Sequence, residues 1–163
     1  MKNKAGIHFK PIGIIKTPFK SKEGMPIQSG AAAGIKGKIV LEEQYVEGIS
    51  DLEGFTYIYL VYFFHQSDGF NLKVIPFLDD KPRGLFSTRA PRRPNQIGIS
   101  VVKVLAVKDN IIEIEQVDML DGTPLLDIKP YIPEFDARTQ GKTGWIAQKV
   151  DKLNKTKSDR RFD

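Results

Sequence analysis

The sequence predicts a mainly β fold, a β-barrel or sandwich with one or two short helices and a C-terminal helix. Three observations carry this prediction. Short runs rich in β-branched and aromatic residues recur along the chain. Turn-forming pairs separate them, and helical periodicity is confined to the end.

The elements follow in order. Pro11 to Lys16 reads as a strand bounded by Pro11 and Pro18, and Lys36 to Leu41 as a second. Ser50-Asp51-Leu52-Glu53-Gly54 reads as one helical turn, capped by Ser50 or Asp51 and stopped by Gly54. Tyr57 to His65 is apolar on both faces, which predicts a central strand. Leu72 to Phe77 is a weaker strand that Pro76 pushes to an edge. Leu85 to Ser87 reads as a short strand, and Ile99 to Val107 as a strong one. Asp109-Asn110 is a two-residue turn into Ile111 to Val117, a hairpin signal. Asp121-Gly122 is a second turn, and Ile128 and Tyr131 start a last short strand. Ile146, Val150 and Leu153, with Trp145 adjacent, predict one amphipathic helix of about three turns. The residues after Asn154 read as a loose basic tail. Residues 7–136 thus form a β domain, and residues 137–163 a helix and tail.

Composition narrows the chemistry. The 163 residues, 40% of them hydrophobic, suit one domain with a real core and exclude a disordered chain. No run of about 18 apolar residues exists, so no membrane span is expected. Cysteine is absent, which excludes disulfides, thiolate metal sites and a cysteine nucleophile. His8 and His65 are the two imidazoles, so no metal site is expected. The Lys-rich start is followed by no apolar signal core, and we read the protein as cytoplasmic.

The net charge of +5 is segregated. Residues 1–22 hold six Lys and no acid, while residues 110–136 hold seven acids against Lys129. Basic faces of this kind suit a polyanion. The segment 83–98 is the strongest feature: Arg83, Arg89, Arg92 and Arg93 fall within eleven residues of a chain whose Lys outnumber Arg 18 to 7. Arginine offers a planar fork for carboxylate or phosphate, and Pro91 and Pro94 stiffen the loop that presents it. The glycines of Gly30-Ala-Ala-Ala-Gly34-Ile-Lys-Gly37 match no dinucleotide or phosphate-loop pattern. They suit a flexible loop, or backbone approaching a ligand. His65-Gln66-Ser67-Asp68-Gly69 places polar groups at a strand end, where ligand rims occur. Asp118, Asp121 and Asp127 cluster around turns, and only Asp121 has a ready turn role.

Three blocks then stand out. They are Ile12-Gly-Ile-Ile-Lys-Thr-Pro-Phe-Lys20, Gly84-Leu-Phe-Ser-Thr-Arg89-Ala-Pro-Arg-Arg-Pro-Asn95-Gln-Ile-Gly98-Ile-Ser100, and Asp118-Met-Leu-Asp121-Gly-Thr-Pro-Leu-Leu-Asp-Ile-Lys-Pro-Tyr131. With Leu52-Glu-Gly-Phe55 and Phe64-His65-Gln66, they resemble the TrmO family, also called TsaA or YaeB-like, over about residues 9–136. The resemblance implies a small YaeB-like β-barrel working as a homodimer. It implies an S-adenosylmethionine-dependent tRNA methyltransferase acting on N6 of threonylcarbamoyl-adenosine, just 3′ of the anticodon. It places Ser29, Gly30, Ala31, His65, Gln66, Arg89, Ile99, Glu115, Gln116, Val117 and Asp118 around the cofactor. Transfer to an amide-like nitrogen needs alignment and a hydrogen-bond acceptor or base. His65, Asp118 and Asp121 are the candidates. Arg83, Arg92 and Arg93 would contact tRNA phosphate, or the threonyl carboxylate in the case of the last two. Two departures stand beside these matches: Gln96 replaces a frequent proline, and only a short segment follows the barrel where larger members carry a further domain. Two other readings are a methyltransferase of this fold on another nucleoside or small molecule, and a non-enzymatic cofactor- or RNA-binding barrel.

Overall fold

The computed structural model describes residues 6–152 and 155–162. Lys2, Lys4, Leu153, Asn154 and Asp163 lie outside the described residues. Among the described residues eight strands form: β1 (Gly13–Lys16), β2 (Lys36–Leu41), β3 (Tyr57–Phe63), β4 (Lys73–Val74), β5 (Arg83–Gly84), β6 (Ile97–Lys108), β7 (Ile111–Glu115) and β8 (Thr123–Pro130). Six of them close an antiparallel barrel in the order β1-β2-β7-β6-β3-β8. β4 and β5 make a separate two-stranded ribbon. The barrel and its mainly β character match the sequence prediction.

Alternation sets the barrel. Ile58, Leu60 and Tyr62 of β3 point inward, and Tyr57, Tyr59, Val61 and Phe63 alternate with them. Ile15, Ile39, Val102, Ile112, Ile114 and Leu125 meet Ile58 and Leu60 in one fully buried core. Each such side chain contributes roughly 1.5–3 kcal/mol by leaving water. Closure removes the edges of the six-stranded sheet. Two register shifts bend the wall: one between Val61 and Tyr62 opposite β8, one between Val104 and Ala106 opposite β7. The β6–β7 hairpin turns at Asp109, whose φ of 53° is the left-handed geometry a tight hairpin needs.

Several elements differ from the prediction. β8 is eight residues long and begins at Thr123 rather than near Ile128. Pro124 and Pro130 hide it in the sequence, yet it pairs with both β1 and β3. Leu85–Ser87 is a 3₁₀ turn, closed by the Thr88 N–H and hydroxyl, both donating to the Leu85 carbonyl. Leu52–Gly54 is a 3₁₀ turn without the expected side-chain cap, because the Ser50 hydroxyl donates back to the Glu47 carbonyl. A longer 3₁₀ stretch, Glu43–Ile49, and one α-helical turn, α1 (Pro133–Asp136), carry no clear periodic signal.

The expected C-terminal helix is replaced by two 3₁₀ turns, Gly144–Ile146 and Val150–Lys152. Gly141 and Gly144 take positive φ, and Lys149 is drawn to Asp79. The tail is not loose. Lys157 bridges to Pro26, Ser158 pairs with Gly24 and Met25 through its backbone, and Phe162 is buried against Leu85 and Ala90. Phe162 meets Phe77 edge-on at 5.0 Å. Among the described residues, no helix is long and apolar enough to cross a membrane.

Candidate functional site

The interior of the barrel is apolar until one end, where a polar chain is buried. Ser100 faces inward on β6. Its hydroxyl donates to Asp118 Oδ1 at 2.7 Å and lies 3.0 Å from the Tyr62 hydroxyl. A serine has one proton, so with Ser100 donating to Asp118 the phenol must donate to Ser100. Gly98 makes room for this chain. A Cβ there would lie 2.3 Å from the Tyr62 ring.

The electrostatics follow from burial. Desolvation pushes the Asp118 carboxyl up to about 6, although Ser100, its own backbone N–H, the Ser29 backbone N–H and the Arg89 charge all favour the anion. Desolvation, helped by the Asp118 charge, pushes the Tyr62 phenol well above its ordinary value, so it remains a donor. Burial pushes the His65 imidazole down, which favours its neutral form.

The structure brings most of the predicted residues to this end. His65, Gln66 and Asp118 line one cavity with Tyr62, Phe64 and Phe162. The Ser29–Ala31 turn carries Ser29, Gly30 and Ala31 and reaches Asp118 through the Ser29 N–H. Gln116 and Val117 both donate to the Ile35 carbonyl, which ties that loop to the end of β7. Gln116 holds φ at 73°, a left-handed conformation that bends the chain into Asp118. Arg89 donates a long 3.4 Å bond to Gln28 beside that turn.

Two predicted cofactor residues stand elsewhere. Ile99 lies on the outer face of the barrel wall, 57% exposed. Glu115 is registered between Lys36 and Lys103. Asp121 is not brought to the cavity. Its oxygens accept from the Thr17 N–H at 3.0 Å and from the Lys20 ammonium, which pins the 118–122 turn to β1. The expected RNA contacts brace loops in this structure. Arg83 pairs with buried Asp79 at 2.7 Å, Arg92 donates to the Asp68 carbonyl at 2.9 Å, and Arg93 donates to the carbonyls of Thr88 and Ala90.

Sequence reasoning missed Tyr62, Ser100 and Asp79. A signal for Ser100 exists: it is a lone hydroxyl at an inward position of an apolar strand. Asp79 carries no such signal, because its partner Lys149 is 70 residues away.

A closed six-stranded antiparallel barrel with a buried carboxylate at one end, framed by a 3₁₀ turn and an arginine loop, is the class that fold and site define. Residues 14–137 match the family model for the tRNA-methyltransferase O N-terminal domain, and the chain belongs to that family. It is 49% identical over 156 residues to a probable S-adenosyl-L-methionine-binding protein of Pyrococcus abyssi, covering 96% of this chain and 85% of that one. It is 36% identical over 135 residues to the tRNA (adenine(37)-N6)-methyltransferase of Mus musculus, covering 78% of this chain but 31% of that protein. A crystal structure of TrmO from Pseudomonas aeruginosa superposes with a TM-score of 0.75 at 33% identity, over 89% of this chain and 63% of that chain.

Proposed function

We propose that this chain is an S-adenosylmethionine-dependent tRNA methyltransferase that methylates N6 of threonylcarbamoyl-adenosine at position 37, as the name of the mouse relative suggests for the base and atom. The observation that carries the reading is the buried Tyr62–Ser100–Asp118 chain beside the Ser29 turn and Arg89. The donor set suits the cofactor. Arg89 and backbone N–H groups fit an amino-acid carboxylate, Asp118 and Gln66 fit amino or hydroxyl groups, and Phe64 and Met119 supply apolar surface in the same cavity.

When bound, the cofactor supplies an electrophilic methyl on a sulfonium. The chain's own residues do the rest. Asp118 Oδ takes the N6 proton, which makes the amide-like nitrogen a competent nucleophile. Ser100 and Tyr62 hold that carboxylate in place and relay hydrogen bonding behind it. Neutral His65 accepts or donates a hydrogen bond at the cavity wall, and Phe64 excludes water. The reading also makes the protein a cytoplasmic homodimer. It is supported by the outer strip of Tyr59, Val61 and Phe63 opposite Val101, Ile99 and Ile97, an apolar face that suits a second copy.

The test is transfer of labelled methyl to tRNA with and without the threonylcarbamoyl group. Transfer to the modified tRNA alone is expected. Because Asp118 must be ionised, the rate should rise with pH through about 6. Asp118→Asn should lower turnover roughly 10²–10⁴-fold and remove that rise. No transfer to either tRNA would overturn the reading. The second reading, a cofactor-binding barrel without turnover, is favoured by the name of the Pyrococcus relative, which states binding alone.

A further inference from the structure

A second cleft opens beside the carboxylate chain, between the Leu85–Ser87 turn and the segment from Thr143 to Val150. Its walls include Gln28, Phe86, Arg89, Trp145 and Val150, and among the described residues no carboxylate lines it. Phe86 is 74% exposed at the tip of the turn. Together with Trp145 and the 44% exposed Val150 on the same cleft it makes an apolar patch rather than a lone exposed ring, and such patches mark binding sites. The Arg93 guanidinium sits 5.7 Å from its ring. Trp145 is fixed differently. Its indole N–H donates to the Ser87 carbonyl at 2.8 Å, and the Arg83 guanidinium lies 5.5 Å from the ring. Arg83 in turn is anchored by Asp79, whose side chain is 1% exposed and also holds Lys149.

The result is a pair of aromatic rings, each backed by an arginine and set before any ligand arrives, at the rim of a positive cleft. Unpaired bases are read in this way, by stacking on aromatic and guanidinium planes with basic groups on the phosphates. An apolar peptide would need none of the arginines. We infer that this cleft binds an unpaired nucleobase of the RNA substrate, stacked on Phe86 and Trp145 beside the guanidinium groups of Arg93 and Arg83. The inference rests on the tRNA reading above and adds to it the place where a loop base docks. It also gives the short C-terminal segment an RNA-binding role of its own.

Trp145 is the single tryptophan of the chain, so its emission reports on the cleft. The probe is a synthetic RNA hairpin with an unpaired anticodon-type loop, compared with a fully paired duplex of equal length. The hairpin is expected to quench Trp145 and the duplex is not. Phe86→Ala should weaken hairpin binding roughly fivefold to a hundredfold. It should leave the melting temperature and S-adenosylmethionine affinity unchanged, and Phe86→Tyr should restore binding. Equal hairpin affinity in wild type and Phe86→Ala, or equal quenching by the duplex, would overturn the cleft while leaving tRNA binding standing. A wild-type protein that binds neither the hairpin nor intact tRNA would overturn the tRNA reading itself, and the cleft with it.

Discussion

The barrel and the layer of loops over its open end are held by different forces. In the barrel, antiparallel ladders and a fully buried aliphatic core act together. In the loop layer, the apolar cluster is small: Leu85, Ala90 and Phe162, with Val74 and Phe77 beside them. Long-range polar contacts carry the rest. Asp79 joins Arg83 to Lys149, Arg161 donates to the Pro76 carbonyl, and Ser158 ties the tail to Lys22 and Met25. The lesson is that stability resides in one region and candidate chemistry in the other. The barrel fixes where Asp118 stands, and the loops decide what reaches it.

The largest effects should break that division if it is wrong. Leu60→Ala deletes a side chain from the fully buried core. It should cost about 2–5 kcal/mol in denaturant unfolding. Asp79→Asn acts on the loops instead. It leaves Arg83 and Lys149 without a charged partner, so amides of residues 144–152 should exchange faster while the barrel's melting temperature changes little. Those contacts hold the Asp79 carboxyl well below its ordinary value. Their stabilisation is therefore complete above about pH 4 and is lost as pH falls below that. A barrel that unfolds along with the loops in Asp79→Asn would show one cooperative unit rather than two.

Gly98→Ala probes the seam between the two regions. The added methyl would drive into the Tyr62 ring, and the ring is wedged between Phe64 and the core. Overpacking of this kind costs about 1–3 kcal/mol. Displacing Tyr62 should also disrupt its bond to Ser100 and lower methyl transfer. A variant equally stable and equally active would mean that the hydroxyl chain has no part in the site.

How much of this was legible in the sequence divides along the same seam. Strands such as Tyr57–Phe63 and Ile111–Glu115 were readable because β-branched and aromatic composition and a two-residue turn are local properties. β8 was not, because Pro124 and Pro130 argue against a strand, and only its two partners, β1 and β3, hold it in place. The C-terminal segment misled for a related reason. Ile146 and Val150 do fall at helical spacing, but Gly144 and the pull of Asp79 on Lys149 override a weak propensity. At the site, His65, Asp118 and the Ser29 turn were named from a resemblance. The buried partners of Asp118 needed the fold, since Tyr62, Ser100 and Asp118 are far apart in sequence. The arginines were visible as a cluster, but whether each faces solvent or a neighbouring carbonyl is a tertiary fact.

The smallest expected effect separates the two acids of the 118–122 turn. Asp121 lies outside the cavity that Asp118 lines, with Thr17 and Lys20 on its oxygens. The Lys20 side chain is 75% exposed, so that pair is worth about 0–1 kcal/mol. Asp121→Asn retains an oxygen for the Thr17 N–H and loses the charge. Lys20 and the Thr17 N–H hold the Asp121 carboxyl below its ordinary value. The wild type should therefore be slightly the more stable at neutral pH. The difference should disappear as pH falls below about 4, where the carboxylate takes up its proton, and shrink in high salt. Methyl transfer should be unchanged. A loss comparable to that of Asp118→Asn would mean that the turn opens during the reaction and that Asp121, rather than Asp118, meets the substrate nitrogen.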